Sequence, residues 1–257
     1  MSLEACAELV RCGDPDRFLA TMAAPPAMRD RLWPIYAANL EIARAPFVTK
    51  EPLIAEMRLQ FWADTVAEAI AGKAVRNHEV AAPLAEVIRQ HDLPQAHFDA
   101  LIAARKRDIS RAPFADTAAL MDHMDATAGS VMQLAARVLG ADEAAVPVVA
   151  DMARAAGLAN WLGAFPALEA AGQPPLPQDC ADPAHLADLG LHHLHRARAA
   201  RSKVPSDAAP ALLSGWQAGA VLHRAARSPE RVARGTLASP EFHRRGTLLF
   251  RALLRRW

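Results

Sequence analysis

An abundance of alanine is the feature that most restricts how this chain can fold. Of its 257 residues 59 are Ala, whereas only 5% are aromatic and a single Tyr is present. Alanine has the highest helix propensity of the amino acids and is a poor strand former. No segment alternates β-branched or aromatic residues with polar ones, so the sequence predicts an all-α protein.

Apolar side chains recur every three or four residues along most of the chain, as they do on one face of a helix. This pattern predicts helices over 26–45 and 51–72. In the second of these, one face is predicted to hold Ile54, Met57, Phe61, Thr65 and Ile70. Further helices are predicted over 79–91, 95–109, 116–139, 142–165, 184–203, 207–227 and 240–256. The proline-rich stretch 171–183 forbids a helix, and we expect a surface loop there within a single domain spanning residues 1–257.

The charges are balanced overall but unevenly distributed. The formal net charge is +1, which argues against a bulk nucleic-acid binder, because the domain of such a protein is usually strongly basic. Residues 191–257 hold 13 Lys and Arg against 3 Asp and Glu, a net charge of +10, which leaves −9 for residues 1–190. We therefore expect no nucleic-acid partner, and an acidic body with a basic C-terminal part.

Cysteine usage and hydropathy bear on the compartment. The three Cys residues form no CxxC pair, which fits neither a disulfide framework nor a zinc site. The first twelve residues lack the basic start and apolar run of a signal peptide, and no uncharged stretch is long enough for a membrane span. These features predict a cytoplasmic protein.

Carboxylates on the predicted helices are candidates for a metal site. Asp122 and Asp125 are three residues apart on one predicted helix, where they either hold Mg²⁺ against a phosphate or form a solvated face. Asp108 and Glu41 lie on helices that otherwise pack apolar residues, and a buried carboxylate needs a partner, for which Arg58 or Arg105 is available. The residues alone leave a metal site, an ion pair and a solvated surface open.

Histidines and glycines mark two further features. The histidines of LHHLHR, at positions 192, 193 and 195, are predicted to form a patch facing solvent or a partner rather than a metal site. Gly129 and Gly157 lie within predicted helices, where Gly costs about 1 kcal/mol relative to Ala. Either a close helix crossing or the wall of an apolar cavity would offset that cost, and the sequence favours neither.

Four blocks of the sequence resemble the squalene/phytoene synthase family: RDRLWPIYAANLEIAR, EPLIAEMRLQFWADTV, TAGSVMQLAARVLG, and AGLANWLGAF followed by PLPQD. Their order and spacing match from about residue 29 to the C-terminus, and RLQFW (58–62) and LPQD (176–179) are the most specific parts. The resemblance implies a prenyl-synthase helical bundle around a deep apolar cavity. The candidate cavity or binding residues are Tyr36, Asn39, Glu41, Arg58, Asp108, Asp122, Asp125, Gly129, Gln133, Gly157 and Asn160.

The resemblance also indicates what this chain lacks. Enzymes of that family hold Mg²⁺ with two DxxxD motifs, and the ions neutralise the diphosphate that leaves an allylic cation. Here the first motif's acids would fall near Ala43, Arg44 and Phe47, and those of the second at about Leu168 and Gly172. The resemblance therefore implies a divergent, non-catalytic branch without a cofactor. That branch includes the mitochondrial assembly factor for respiratory complex I and its bacterial relatives.

Three functions stay open at this point. The leading one is a binding or assembly factor that contacts respiratory complex subunits, located in the cytoplasm or peripherally at the inner membrane. The second is an active head-to-head prenyltransferase that binds Mg²⁺ through Asp108, Asp122, Asp125 and Glu41. The third is a carrier that keeps an isoprenoid or another lipid in the cavity without chemistry.

The basic C-terminal segment has a pattern of its own. Its apolar stripe consists of Phe242, Leu249, Leu253 and Trp257. A candidate membrane or partner surface adds the charged residues Arg244, Arg245, Arg251, Arg255 and Arg256. The pattern favours a last helix that packs on the body, with contact to an anionic membrane or a protein partner as the alternative.

Overall fold

The structure, a computed structural model, describes residues 3–254 and 256–257, so the predicted surface residue Arg255 lies outside the described residues. The described part of the chain is helical and holds no strand, which confirms the all-α prediction. Its α-helices are α1 Leu3–Gly13, α2 Pro15–Met22, α3 Pro26–Arg44, α4 Pro52–Ile70, α5 Ala81–His91, α6 Gln95–Ser110, α7 Thr117–Met124, α8 Ser130–Val138, α9 Val146–Gly163, α10 Phe165–Ala170, α11 Pro183–Ala199, α12 Ala209–Leu213, α13 Ala218–Arg227, α14 Glu230–Ala233 and α15 Glu241–Leu253. A π-helix, Asp125–Gly129, joins α7 to α8, and short 3₁₀ turns occupy Arg201–Lys203 and Ser206–Ala208.

Most predicted helices are present, with two interruptions. The segment predicted as one helix over 116–139 is α7, the π-helix and α8 in succession. The segment predicted as one helix over 207–227 is divided, because α12 ends at Leu213 and α13 begins only at Ala218. At the break, a Cβ on Gly215 would stand 2.5 Å from Cε of Met152, so the backbone approaches α9 too closely for a larger residue. Helices α1 and α2 were not predicted.

Helix α9 is the core helix of the bundle. Twelve of its 18 residues are buried, and it packs against α11, α13 and the π-helix. Small residues make this possible, because a helix lined by Ala and Gly lets its neighbours approach on several sides. Close approach is clearest at Gly157, where an added Cβ would lie 2.9 Å from Sδ of Met124 and 3.1 Å from Cβ of Ala128.

Helix α4 buries a different face from the one that the sequence pattern indicated. Met57 is 64% exposed, and Ile54 and Ile70 are also exposed. The buried face instead holds Leu59 and Trp62, together with smaller residues that include Thr65 from the predicted face. The helix carries two apolar stripes at helical spacing, and the one that contains the large Trp side chain packs on the body.

Helix α15 lies against the body along one side. Leu248 is its buried residue, and Arg244 forms an ion pair with Asp16 of α2. Trp257 was predicted to belong to the candidate membrane or partner surface, but it is buried: the side chain is 2% exposed, and the Arg201 guanidinium lies 5.1 Å from its ring centroid. The helix ends at Leu253, so Trp257 no longer follows its periodicity. Among the described residues, no helix is both long and apolar enough to cross a bilayer.

Candidate functional site

A cavity of about 230 Å³ lies between α3, α6, α7, the π-helix and α9, and is closed by α10 and the loop after it. Its polar lining residues are Arg17, Asn39, Arg105, Asp108, His123, Thr127, Asn160 and Gln173. Its apolar lining residues include Phe47, Met124, Val131, Trp161 and Leu168. The space is therefore of mixed polarity, whereas the sequence resemblance implied a deep apolar cavity.

Asp108 is the buried acid of this cavity. Its side chain lies near the end of α6, where Oδ2 accepts a hydrogen bond of 2.9 Å from Arg105 one turn earlier. Its Oδ1 has no hydrogen-bond partner, and Nε2 of His123 lies 3.7 Å from it, beyond hydrogen-bonding distance. One carboxylate oxygen is thus available to a group inside the cavity.

His123 faces Asp108 from α7. Its ring packs against Phe114 and Trp161, with centroid distances of 5.2 and 5.8 Å, and its Nδ1 has no hydrogen-bond partner. Burial, with a smaller contribution from the nearby Arg105, lowers the pKa of His123 to about 4, although Asp108 opposes the shift. The imidazole is therefore neutral at neutral pH and offers one donor and one acceptor.

Gln173 is the most isolated polar side chain of the site. It is 1% exposed, and neither its Nε2 nor its Oε1 has a hydrogen-bond partner. The chain reaches this position through Gly172, whose φ of +76° is readily adopted by Gly and ends α10. A buried primary amide with two unpaired atoms indicates a site made for water or a polar ligand.

Arg17 closes the cavity from α2 and connects it to Tyr36. Its guanidinium is paired with Asp14 at 3.1 Å and lies 5.0 Å from the centroid of the Tyr36 ring. Tyr36 is buried behind it, without a hydrogen bond to its hydroxyl, and burial raises the pKa of Tyr36 to about 12. The predicted residue Tyr36 therefore supports Arg17 and is not part of the lining.

Four of the predicted residues line the cavity: Asn39, Asp108, Gly157 and Asn160. The position of Gly157 answers the question that the sequence left open. It both crosses the π-helix closely and contributes to the cavity wall. A larger residue at this position would fill part of the space that Asn160 and Asp108 face.

The other predicted residues lie elsewhere. Asp125 is held by Arg154 of α9 through two hydrogen bonds of 2.7 and 2.6 Å, and Gln133 donates to the carbonyl of Val146 at 2.9 Å. Those two side chains tie helices together. Gly129 is buried at the end of the π-helix. Glu41 is half-buried, and Arg58 and Asp122 are exposed; none of these three is part of the lining.

Magnesium does not fit the residues of this cavity. Mg²⁺ is usually held by one or two carboxylates together with substrate phosphates. The one carboxylate of this lining, Asp108, is already paired with Arg105 at 2.9 Å. A second arginine, Arg17, adds a positive charge. Within 3–254 and 256–257, no three or more His, Cys, Asp or Glu side chains form a group that could hold a metal ion. The acids Asp108, Asp122, Asp125 and Glu41 accordingly do not form such a group.

The family of the chain follows from its sequence. The model of the family described as squalene/phytoene synthase matches residues 10–248. This chain belongs to the squalene/phytoene synthase family. Its structure resembles that of squalene synthase HpnC from Alicyclobacillus acidocaldarius, with a TM-score of 0.77, 19% identity, and coverage of 89% of this chain and 94% of that one. A dehydrosqualene synthase in complex with ligand gives a TM-score of 0.76 at 15% identity, over 98% and 95% of the two chains.

Curated relatives carry a different description from the solved structures. The Bos taurus protein named NADH dehydrogenase (ubiquinone) complex I, assembly factor 6 is 27% identical over 166 residues, or 63% of this chain and 48% of its own length. The protein of that name from Mus musculus is 25% identical over 236 residues, 81% of this chain and 69% of its own. The chain thus spans about half the length of the first of these relatives. At these identities the solved structures establish the fold, which is that of the family.

The lining residues that were not predicted include the polar side chains Arg17, His123 and Gln173. They come from α2, α7 and the loop after α10, which the sequence does not connect. For Gln173 a weak signal exists, since Gly172 and the prolines that follow predict a fixed loop at the end of a helix. For Arg17 and His123 only the folded chain brings the residues together.

Proposed function

We propose that this protein is a non-catalytic member of its family that acts as a binding or assembly-type factor for respiratory complex I. On this proposal it works at the inner surface of the membrane that holds the complex. The observation that carries the proposal is the charge of the cavity lining, which holds two arginines and a single carboxylate that is paired with one of them. The names of the curated relatives point to the same process.

The positions matched to the second DxxxD motif support the absence of catalysis. Leu168 lines the cavity with an apolar side chain, and Gly172 forms the turn before Gln173. Ionising an allylic diphosphate requires metal ions to neutralise the charge that develops on the leaving group. Neither an aliphatic side chain nor a glycine turn supplies an oxygen ligand, and the nearby arginines repel a divalent cation.

The size of the cavity supports the same conclusion. Pockets that enclose one drug-sized ligand measure about 300–1,000 Å³, and the head-to-head reaction must hold two prenyl diphosphates together. A cavity of about 230 Å³ is smaller than that range. Its wall at Gly157 cannot recede, because α9 already contacts Met124 and Ala128 there.

A paired genetic and biochemical experiment tests this proposal. Deleting the gene in its host should lower respiratory complex I activity, and the wild-type chain should restore it. A Glu41→Gln, Asp122→Asn double variant should restore it equally, since neither side chain is part of the cavity lining. The purified protein with farnesyl diphosphate and Mg²⁺ should release no C30 hydrocarbon.

Either of two results would overturn the proposal. A Mg²⁺-dependent C30 or C40 hydrocarbon would establish a prenyltransferase with a non-standard set of acids. Unchanged complex I activity after deletion would remove the assembly function.

A second function, capture of a small polar ligand, is favoured by the unpaired atoms of Gln173, Asp108 and His123. Extraction of the protein as purified from its host, followed by mass spectrometry, should release one compound in stoichiometric amount. A Gln173→Leu variant, which removes the buried amide, should release less of it, and equal release from both proteins would contradict binding at this site.

A further inference from the structure

The outer side of α15 is a ridge of large apolar side chains in solvent. Phe242 is 91% exposed, Leu249 62% and Leu253 74%, and the neighbouring Phe250 is also exposed. At 100° per residue these side chains project from the side of the helix opposite Leu248, which packs on the body. We call Phe242, Leu249, Phe250 and Leu253 the α15 ridge. An apolar side chain on such a ridge is in contact with water unless a partner covers it.

An arginine cluster lies beside the C-terminal end of this helix: Arg198, Arg201, Arg251 and Arg256. Burial, reinforced by Arg251 and Arg201, lowers the pKa of Arg198 to about 10. Burial and then Arg201 also lower the pKa of Arg251, and burial and then Arg256 that of Arg201. Within the described part of the chain, no carboxylate is among the groups that shift these three pKa values. The arginines are close enough to repel one another, and Arg201 donates a hydrogen bond of 3.2 Å to the main-chain oxygen of Trp257. The cluster is thus a concentration of positive charge.

A groove of about 250 Å³ lies beside part of the cluster and reaches α15 at Arg251 and Ala252. Arg251 and Arg256 line it, together with apolar side chains that include Met28, Leu213 and Trp257. Asp207 is the carboxylate at its edge. The predicted surface residues Arg244 and Arg245 are already paired, with Asp16 and Glu241 respectively. The free positive charge is therefore concentrated at the groove and not along the whole helix.

The α15 ridge and the arginine cluster lie on opposite sides of the helix, as the acyl chains and the phosphates lie at different depths of a lipid leaflet. An interfacial helix places its apolar side about 5–10 Å into the boundary between headgroups and acyl chains. A helix with its side chains is about 10 Å thick, so groups on its body side then lie at the level of the lipid phosphates. Arg251 projects toward the body, and its neighbours Arg198 and Arg201 lie on the same side. The ridge and the arginine cluster are thus spaced to contact the two layers of a single lipid leaflet.

We propose that the α15 ridge and the arginine cluster form a docking surface for a bilayer of anionic phospholipid, with lipid phosphates bound at the groove lined by Arg251 and Arg256. The partner is identified by complementarity, because apolar side chains on the outside are combined with clustered cations behind them. This docking surface would account for the membrane location in the proposed function, and the inference rests on that function. Binding to vesicles, however, requires no component of complex I, so either proposal can fail without the other.

Vesicle sedimentation with the full-length protein tests the surface directly. Vesicles of phosphatidylcholine containing one third phosphatidylglycerol should bind the protein, and vesicles of pure phosphatidylcholine should bind it at least tenfold less. A Phe242→Ser, Leu249→Ser, Leu253→Ser variant should lose binding. Its matched control is Leu53→Ser, Met57→Ser, which removes two equally exposed apolar side chains from α4 and should bind as the wild type does.

The arginine cluster is tested by charge removal. An Arg198→Gln, Arg251→Gln variant should bind about 25-fold more weakly, since each cation near an anionic surface contributes about a fivefold change. The control variant Arg58→Gln, Arg137→Gln changes the net charge equally at exposed positions on α4 and α8 and should bind within a factor of two of wild type. Inorganic phosphate at millimolar concentration should compete only weakly, which separates a lipid surface from a site for free phosphate.

Three outcomes would overturn the proposal. Equal binding to neutral and anionic vesicles would show that the arginines do not contribute to binding. A loss of vesicle binding in the two control variants equal to that in the test variants would show that the effect is not specific to this surface. A ridge variant that converts a dimer to a monomer in sedimentation velocity, while leaving vesicle binding unchanged, would assign the ridge to a second copy of the chain.

Discussion

Two buried carboxylates lie on opposite sides of α9 and differ in their hydrogen-bond partners. Toward α11, Asp151 of α9 binds Nδ1 of His193 at 2.8 Å through Oδ1 and Nε of Arg196 at 3.2 Å through Oδ2. Toward the cavity, α9 presents Gly157 and Asn160, and Asp108 across the space keeps one oxygen without a partner. Both carboxylates are almost fully buried, so the contrast lies in their partners and not in their exposure.

This difference separates a structural ion network from a binding site. A buried polar atom without a partner costs about 1–3 kcal/mol, and a folded protein keeps few of them. Toward α11, both oxygens of Asp151 have partners, so that cost does not arise, and these contacts join α9 to α11. The cavity side keeps unpaired atoms on Asp108, His123 and Gln173, and water or a ligand must satisfy them.

The largest expected effect comes from Asp151. Replacing it in an Asp151→Asn variant leaves the charges of Arg196 and Arg154 without their shared acid, and we expect the free energy of unfolding to fall by about 3–4 kcal/mol. The matched Asp108→Asn variant loses one ion pair at a site that was never fully satisfied, and should cost about 1 kcal/mol. Urea unfolding followed by circular dichroism measures both. Equal losses in the two variants would mean that Asp108 contributes as much to stability as Asp151 does.

A second effect follows from the pKa of His123. Because the folded pKa of about 4 lies below the ordinary value of 6.5, the unfolded state binds more protons between those pH values. Stability that is fully present above pH 6.5 is therefore lost as the pH falls toward 4. A His123→Gln variant removes this term, so wild type should lose about 3 kcal/mol more than the variant between pH 7 and pH 4.

The control for this pH series is His195→Gln, which changes an exposed histidine on α11. It should follow the wild-type curve throughout. Parallel curves for wild type and His123→Gln would contradict the buried, neutral imidazole.

The smallest expected effect distinguishes two glycines of α9. Gly157→Ala forces a methyl group against Met124 and Ala128, and should lower the free energy of unfolding by about 1–2 kcal/mol. Gly163→Ala adds the same group at the end of the helix, where nothing lies within 4 Å, and should raise stability by about 0.5–1 kcal/mol. Thermal unfolding of the pair compares their signs. A stabilising Gly157→Ala would show that the crossing is looser than these distances indicate.

The sequence predicted the helices well, because each is encoded by its own local spacing of apolar residues. It predicted the buried face of α4 poorly. Leu59 and Trp62 compete there with Ile54 and Met57, and both pairs recur at helical spacing. Which stripe is buried depends on the helices that pack against it, and no local pattern contains that information. Trp257 was wrongly placed for a related reason, since the periodicity was extended past the end of α15.

The candidate site was predicted in part through the family resemblance. It gave Asn39, Gly157 and Asn160, which lie on helices within the matched blocks, and Asp108, which lies on a helix between two of them. Gln173 lies in a loop, and Arg17 lies before the first matched block. The prediction of an exposed histidine patch was wrong for one residue. His193 is buried against Asp151, whereas the histidines at 192 and 195 are exposed. An acid on α9 more than forty residues earlier determined that outcome.

The π-helix at Asp125–Gly129 amounts to one residue inserted into what would otherwise be a continuous helix. Each residue of an α-helix turns the chain by about 100°, so deleting Ala126 would rotate α7 relative to α8 by roughly that angle. His123 would then leave the cavity while Val131 stayed in place. The orientation of the imidazole therefore depends on the number of residues between these two positions as well as on their identity. A single-codon deletion here would reshape the site without changing any residue that lines it.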